Sequence, residues 1–495
     1  MLSRNQLPRN GVFSACEVIV TGVCFFLLYR VVIDAIGIEA IGIWGLLTAI
    51  LVLPTIADPI VGSGITTLVA REESTRWQGA VAEIIETAAI SKAAITGLLL
   101  AASYHGVALI LERLTEDHVA ARELVLLVGV SLWVGAVASV PLAGLEGRQR
   151  VDLRSAVLML GAILNLVVAA ILVPDHGIVG LGQARMVQSL FVLVTAWLVL
   201  RGVLTSAPLL PRRWSRKYLR ALAAYGFRYL SASSAMALID PVTKALMAKF
   251  GSVELVGYYE LASKLVLQVR ALLVSLSRVL VPAVADLQRR EIAAVVDLYQ
   301  KSCRVNAYLA VPAFGLLVVT AAPIGEIWIG REESFFELAT FVLCLGWLTN
   351  TLATPAYFAN LGLAQLGWNT YGHFAMLALL VLFGYPMGAL LGGTGVAIAV
   401  GFAIASGSVA IVLGFGVVNH TQTRDIAPRE GYILYGFTVL AMLGSLALFK
   451  ELRVHVGLPG ATLTSSMAYA IAVSIPAWRH PLRRRLIEYL RRGGA

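Results

Sequence analysis

Long apolar segments follow one another along almost the entire chain, and only short polar segments separate them. A helix that crosses a lipid bilayer needs about 20 mainly apolar residues, and these segments reach that length. The polar segments between them are too short to fold as separate domains. The pattern therefore predicts fourteen membrane-spanning helices, and the candidate spans are 12–33, 42–69, 84–108, 123–145, 153–173, 180–203, 222–247, 257–282, 303–325, 338–358, 370–391, 395–418, 432–449 and 461–478.

The composition supports an all-α, polytopic membrane protein. Of the 495 residues, 58% are hydrophobic and 14% are charged, whereas soluble domains carry about 25% charged residues. The mean hydropathy is +0.81. A soluble globular protein, a disordered chain and a disulfide-stabilised scaffold are excluded, because none of them combines so much apolar surface with so little charge.

The basic residues fall mainly on one side of the predicted membrane. With the N-terminus in the cytoplasm, the cytoplasmic segments carry 25 of the 39 Lys and Arg residues, the opposite segments carry 8, and the spans themselves carry 6. Since cytoplasmic loops are enriched in Lys and Arg, both termini are predicted to be cytoplasmic. The basic segment Arg212–Lys217 and the basic C-terminal tail are predicted to lie against anionic lipid head groups.

The first twelve spans contain a weak internal repeat at an offset near 215 residues. Three short segments recur at this offset: Gly37–Trp44 with Gly251–Tyr259, Pro141–Gly144 with Pro355–Phe358, and Gly177–Gly180 with Gly392–Gly395. The alternative is that glycine-rich turns recur by chance in a chain with many helices. An offset of six helices preserves direction, so the repeats are predicted to be parallel, related by an axis along the membrane normal, with a transport pathway between them.

Several charged residues lie inside spans seven and eight. A charge that faces lipid at mid-membrane costs about 2.5–3.5 kcal/mol, so these residues are expected to face protein or water. Asp240 and Lys244 are four residues apart and can pair on one helix face. Lys244 and Lys264 are predicted to line a cationic cavity. The alternative is that the charges form structural ion pairs or, for Arg228 and Arg278, extend to the membrane surface.

The first half of the chain contains fewer charges within its spans, chiefly Glu17, Asp58 and Lys92. Glu17 and Asp58 are interpreted either as ion-coupling carboxylates or as partners of Lys92. The cationic excess in the second half would favour an anionic ligand. A lipid pyrophosphate carries two or more negative charges, and Arg and Lys are its usual partners.

Several segments of the chain match a family pattern. The loop that begins at Gly37, its repeat at Gly251, and the segments Ile56–Ile65, Leu145–Arg150 and Trp328–Glu332 resemble the corresponding segments of Wzx-type polysaccharide biosynthesis flippases. These flippases belong to the multidrug/oligosaccharidyl-lipid/polysaccharide (MOP) exporter superfamily. The resemblance implies two parallel six-helix bundles that form a V around a central cavity, plus two extra C-terminal helices. The implied parts are 1–205, a basic cytoplasmic linker 206–221, 222–418, and the last two helices with a basic tail, 419–495.

The resemblance also implies a function and a location. The chain is expected to be a multi-pass protein of the bacterial inner membrane. It would move a polyprenyl-pyrophosphate-linked oligosaccharide from the cytoplasmic to the outer leaflet by alternating access, for O-antigen, lipopolysaccharide or exopolysaccharide synthesis. The expected partners are the lipid-linked glycan, membrane lipids, a glycan polymerase and other assembly proteins, with no nucleic acid, and the chain is expected to be a monomer.

The candidate site residues follow from the charges and the resemblance together. The cations expected to bind substrate are Lys244, Lys264, Arg270, Arg228, Arg278 and Lys92. The residues expected to couple ions or balance charge are Glu17, Asp58, Asp240 and Glu260.

No enzyme motif is evident in the sequence. Because the chain contains no nucleotide-binding Gly-Lys-Ser/Thr loop and no zinc or serine-hydrolase motif, no catalytic residue, cofactor or metal is expected. The alternatives are a multidrug antiporter or a peptidoglycan-precursor flippase of the same superfamily. A membrane glycan polymerase is a further alternative, which the short outer loops disfavour.

Overall fold

The computed structural model describes most of the chain, and secondary structure in the described part is helical. The described residues are 6–52, 64–66, 68–69, 78–112, 118–205, 208, 210–277, 280–287, 292–421, 429–479 and 482–483. Within these ranges, twelve helices of eight residues or more follow one another. They are α1 (Gln6–Ile36), α2 (Ile38–Val52), α3 (Gln78–Glu112), α4 (His118–Gly147), α5 (Val151–Val203), α6 (Arg216–Phe250), α7 (Val253–Ser277), α8 (Leu280–Leu287), α9 (Ile292–Ile329), α10 (Ser334–Gly362), α11 (Gly367–Asn419) and α12 (Arg429–Arg479).

Eight of the described helices are long and apolar enough to cross a membrane. Three of them, α5, α11 and α12, span about 50 residues and are broken near the middle at Gly177, Gly392 and Gly457, where φ is 58°, 62° and 69°. Combined with their ψ angles of −140°, −147° and 177°, these φ values define a backbone conformation that essentially only glycine adopts. Each of the three therefore supplies two of the predicted spans, in agreement with a fold of about fourteen membrane helices.

The predicted repeat is confirmed by matching backbone geometry at an offset of 215 residues. Gly177 and Gly392 share nearly the same conformation, with ψ of −140° and −147°. Gln149 and Ala364, which follow the ends of α4 and α10, are both left-handed, with φ of 60° and 57°. A left-handed conformation is uncommon in residues other than glycine, so its recurrence at this spacing is not a coincidence of helix ends.

Side-chain packing repeats at the same offset. A Cβ atom added at Gly147 would lie 2.9 Å from Cβ of Val69, and one added at Gly362 would lie 2.8 Å from Cβ of Val284. Each of the two glycines is the last residue of a helix. The two glycines are 215 residues apart, and so are the two valines. The repeat therefore extends from local turns to the contacts between helices.

The chain forms two compact units, Met1–Glu260 and Leu261–Ala495, with the boundary inside α7. In the first unit, α5 packs against α1 and α4, and α3 packs against α4. In the second unit, α10 packs against α9 and α11, and α12 packs against α9. The domain boundaries derived from the sequence stay a prediction.

Candidate functional site

A buried cluster of charged side chains lies in the first unit, where α6 and α7 meet. The Nζ atom of Lys244 lies 2.6 Å from Oδ2 of Asp240 and 2.7 Å from Oε2 of Glu260. The hydroxyl of Tyr29 on α1 donates to Oε1 of Glu260 at 3.3 Å. The pairing of Asp240 with Lys244 that the sequence predicted is thus present.

The cluster is possible because α2 and α7 approach each other closely. A Cβ atom at Gly257 would lie 2.5 Å from the carbonyl oxygen of Ile38, so only glycine fits at this crossing. One turn further along, a Cβ atom at Gly45 would lie 3.6 Å from Oε2 of Glu260. The distance at Gly45 is an ordinary van der Waals contact, so it is Gly257 that lets α7 approach α2 and places the Glu260 carboxylate beside α2.

Lys244 is enclosed rather than presented to a cavity in this conformation. Its side chain is 3% exposed, as is that of Glu260, whereas the side chain of Asp240 is 48% exposed. A buried cation is stable only when paired and hydrogen-bonded, and Lys244 meets two carboxylates. The geometry is that of an ion cluster that joins helices, and a role of Lys244 in substrate binding stays a prediction.

Arg270, on the part of α7 that belongs to the second unit, is held in a defined position. Its Nε and Nη2 atoms donate to Oδ1 of Asn350 at 3.0 and 2.7 Å. Its guanidinium carbon lies 4.7 Å from the ring centre of Trp347. Asn350 is 6% exposed and donates in turn to Oγ of Ser408 at 3.0 Å. Asn350 and Trp347 together orient the guanidinium.

Lys264 lies on α7 one turn after Glu260 and is partly buried. It is six residues before Arg270, so the two cations occupy different faces of a helix with 3.6 residues per turn. The two predicted lysines also belong to different compact units, Lys244 to the first and Lys264 to the second.

Two of the predicted charges of the first half, Lys92 and Glu17, contact side chains on neighbouring helices. The Nζ atom of Lys92, which is 5% exposed, donates to Oγ of Ser139 at 2.6 Å. Glu17 accepts from Nη1 of Arg154 at 3.1 Å and from Oγ of Ser155 at 2.6 Å. Arg154 reaches the Glu17 carboxylate because α1 packs against α5, and the proposed roles of Glu17 and Lys92 stay predictions.

Three candidate residues cannot be placed. Asp58, Arg278 and the side chain of Arg228 lie outside the described part of the chain. Among the described residues, no group of three His, Cys, Asp or Glu side chains is arranged to hold a metal ion.

Several partners in these clusters could not be predicted from the sequence. Tyr29 and Asn350 are uncharged residues in apolar helices, and Arg154 lies at the start of α5, near the predicted cytoplasmic end of a span. Their contacts bridge 231, 80 and 137 residues of sequence. A search for polar residues inside predicted spans, rather than for charges alone, would have found Asn350.

Comparison with known proteins identifies the family and the fold. A family model described as "Polysaccharide biosynthesis protein" matches residues 43–332, more than half of the chain. No curated protein matches the chain.

Solved structures of transporters share the fold at low sequence identity. The lipid II flippase MurJ in an inward closed conformation matches with a TM-score of 0.67 at 14% identity, covering 96% of this chain and 100% of that chain. An inward-facing multidrug resistance MATE family transporter of the MOP superfamily matches with a TM-score of 0.66 at 14% identity, covering 81% and 97%. A MOP superfamily transporter from Pyrococcus furiosus matches with a TM-score of 0.65 at 12% identity, covering 84% and 96%.

Proposed function

The chain belongs to the polysaccharide biosynthesis protein family, and we propose that it is a flippase for a polyprenyl-pyrophosphate-linked oligosaccharide. It moves this lipid from the cytoplasmic to the outer leaflet of the bacterial inner membrane by alternating access. The translocated glycan then enters cell-surface polysaccharide synthesis, where a glycan polymerase and other assembly proteins act on it. The chain works as a monomer with both termini in the cytoplasm.

The observation that carries the proposal is the fixed position of Arg270 on α7, within the predicted span 257–282. A charge at this depth is costly unless it faces protein or water. Asn350 and Trp347 hold the guanidinium from two sides, so little rotamer freedom remains to be lost when an anion binds. Arg is suited to phosphate because its planar fork can form two parallel hydrogen bonds.

The other predicted cations support this role to different degrees. Lys264 is partly buried on the same helix and is proposed to contact the anionic part of the substrate during the transport cycle. Lys244 is engaged by Asp240 and Glu260 in the conformation described. If Lys244 binds substrate, it does so only after this cluster rearranges, and the half-exposed Asp240 is the member most easily released.

A second candidate is a flippase for a lipid-linked peptidoglycan precursor. The observation that favours it is the fraction of this chain that aligns with each solved structure. The lipid II flippase aligns with 96% of this chain, whereas the multidrug transporter aligns with 81%. Both flippase proposals require recognition of a lipid-linked pyrophosphate, and they differ in the attached glycan. A multidrug antiporter is a weaker candidate, because a cationic drug would meet the cationic side chains of α7.

The test measures transport of defined lipids by the purified protein in liposomes. One lipid carries an oligosaccharide on polyprenyl pyrophosphate, and the other is lipid II. Translocation is followed by the accessibility of the glycan to a membrane-impermeant reagent. We expect faster movement of the oligosaccharide lipid; preferential movement of lipid II would establish the second candidate, and movement of neither lipid would refute both.

Variants of Arg270 test the site itself. Charge-assisted hydrogen bonds contribute about 1.5–3 kcal/mol each, so Arg270→Gln should reduce transport about ten- to a hundredfold. Arg270→Lys should restore part of the rate, because the charge is kept and the fork is lost. The control is Arg122→Gln, which removes an exposed arginine that pairs with Glu112. An unchanged rate in Arg270→Gln would remove Arg270 from the substrate site.

A further inference from the structure

A cavity of about 230 Å³ lies within the first unit, between α1 and the two halves of α5. Its walls combine polar and apolar side chains from these three segments: Glu17, Thr21, Cys24, Phe25, Leu28, Leu158, Ala162, Asn165, Arg185 and Gln188. The cavity is smaller than the roughly 300–1,000 Å³ of sites that hold drug-sized ligands. Its size suits a single small polar molecule rather than a lipid tail or an extended glycan.

One wall of the cavity presents a buried acceptor that lacks a partner. Asn165 is 8% exposed, and its Oδ1 atom accepts no hydrogen bond. An unsatisfied buried polar group costs about 1–3 kcal/mol, so such groups call for an explanation by function or by a bound molecule. A ligand that donates a hydrogen bond to Asn165 would remove this cost.

The cavity is also lined by a cation, Arg185, for which the described residues supply no ion-pair partner. Nη1 of Arg185 donates to Oε1 of Gln188 at 2.7 Å, and within the described residues Arg185 forms no ion pair. A guanidinium has five N–H donors, so most of the donors of Arg185 stay available. Glu17, the acid of the cavity, is already engaged by Arg154 and Ser155.

The groups of the cavity together define a ligand class. Arg185 matches a carboxylate, because its planar fork can donate two parallel bonds. Asn165, Gln188 and Thr21 match hydroxyl groups, which both donate and accept. The ring of Phe25, a residue that is 36% exposed, offers an apolar surface to the C–H face of a pyranose. A sugar that bears a carboxylate carries a chemical group suited to each of these side chains.

We propose that this cavity binds an acidic sugar, with its carboxylate on Arg185 and a ring hydroxyl donating to Oδ1 of Asn165. The low dielectric inside a helical membrane unit strengthens both contacts relative to water. The binding stands on the geometry of the first unit alone. Its meaning for transport, that the translocated glycan contains an acidic residue, rests on the proposed function.

The direct test is saturation-transfer NMR on the purified full-length protein in detergent, which detects weak ligands. Glucuronate is the ligand, glucose is the neutral analogue, and inorganic phosphate is the competitor. We expect binding of glucuronate and at least about tenfold weaker binding of glucose, because glucose lacks the carboxylate that pairs with Arg185. Equal binding of glucose would overturn the proposal, and so would full displacement of glucuronate by equimolar phosphate, which would reveal a general oxyanion site.

Three variants of the cavity and one control variant separate binding from folding. Arg185→Gln should weaken glucuronate at least about tenfold, and Arg185→Lys should weaken it less, because Lys keeps the charge. Asn165→Leu should also weaken binding, but it should leave or raise the thermal stability, since it removes an unsatisfied acceptor. Arg122→Gln, outside the cavity, should leave binding unchanged. Undiminished binding in both Arg185→Gln and Asn165→Leu would overturn the proposal.

Transport assays distinguish this proposal from the proposed function. In liposomes, Arg185→Gln should slow a lipid-linked glycan that contains a uronic acid and spare a neutral one. Equal slowing of both glycans would overturn the acidic-sugar assignment while the flippase proposal stands. If the unmodified protein moves no lipid-linked glycan, the flippase proposal is wrong, and the NMR result still decides whether the cavity binds an acidic sugar.

Discussion

Gly42 and Gly257 face each other where α2 crosses α7, and a Cβ atom added at Gly257 would lie 3.2 Å from the backbone nitrogen of Gly42. The contact is reciprocal. Gly257 meets the carbonyl oxygen of Ile38, and Gly42 meets the carbonyl oxygen of Val253. Since Gly42 and Ile38 correspond to Gly257 and Val253 at the repeat offset of 215, the two helix starts form a self-complementary contact of the kind found on a two-fold axis.

This crossing predicts that neither glycine tolerates a side chain. Gly257→Ala places a methyl group against the backbone of α2, and overpacking of this kind costs about 1–3 kcal/mol. The loss exceeds the gain of up to about 1 kcal/mol that Ala brings to a helix interior. The measurement is thermal unfolding of the purified protein in detergent, followed by tryptophan fluorescence.

Gly436→Ala is the matched control, because a Cβ atom at Gly436 meets nothing within 4 Å. This variant should be neutral or slightly stabilised. Equal unfolding temperatures for Gly257→Ala and Gly436→Ala would show that α2 and α7 are not in close contact.

A second prediction concerns the cluster of Lys244 and Glu260. Lys244→Met leaves Glu260 buried without its cation, and removing one partner of a buried ion pair costs about 3–5 kcal/mol. The double variant Lys244→Met, Glu260→Gln removes both charges and should recover most of the stability. Unfolding temperatures of the single and double variants measure the coupling.

The control for this cluster is Lys301→Met, which breaks an exposed pair with Asp297 and should cost about 1 kcal/mol or less. Transport by the double variant then decides the role of Lys244. Recovered stability with recovered transport assigns Lys244 to structure alone. Recovered stability without transport supports the cationic cavity that the sequence predicted.

A third prediction concerns the basic linker that precedes α6. A residue of α3, Glu86, holds this linker in place. Oε2 of the buried Glu86 accepts the backbone N–H groups of Arg212 and Arg213 at 2.7 and 2.8 Å. Glu86→Ala removes these charge-assisted bonds, each of which contributes about 1.5–3 kcal/mol. The rate of trypsin cleavage after Arg212 or Arg213 should therefore rise at least about tenfold in membranes opened to the protease.

Glu83→Ala, one turn away on α3, is the control for the linker and should leave the cleavage rate unchanged. If the rate also stays unchanged in Glu86→Ala, the linker is held by other contacts. The indole of Trp214, which donates to Oγ of Ser91 at 3.0 Å, would then be the next anchor to remove.

The fourth prediction is the orientation in the membrane. Reporter fusions after Arg122, Arg331 and Arg453 should report the outer side, because few cations occupy these segments. Fusions after Arg76, Arg216 and Arg429 should report the cytoplasm. A cytoplasmic signal at Arg331 would contradict the orientation of the second half of the chain.

The sequence by itself determined the features that depend on local order. The length of the apolar segments predicted the spans. The recurrence of glycine at positions 177 and 392 predicted two helix breaks, and the φ angles of these two glycines agree within a few degrees. Asp240 and Lys244 could be paired because a helix places residues four apart on one face. Each of these inferences needs only the geometry of one segment.

Only the tertiary structure decided which faces of the helices meet. Glu260 accepts a hydrogen bond from Tyr29 on α1, and Glu17 accepts one from Arg154 on α5. Arg270 donates to Asn350 on α10. In an apolar helix nearly every face is hydrophobic, so periodicity gives no sign of which face packs inward. The rotation and the partner of each helix are fixed by close packing between helices, and that packing is what turns scattered polar residues into sites.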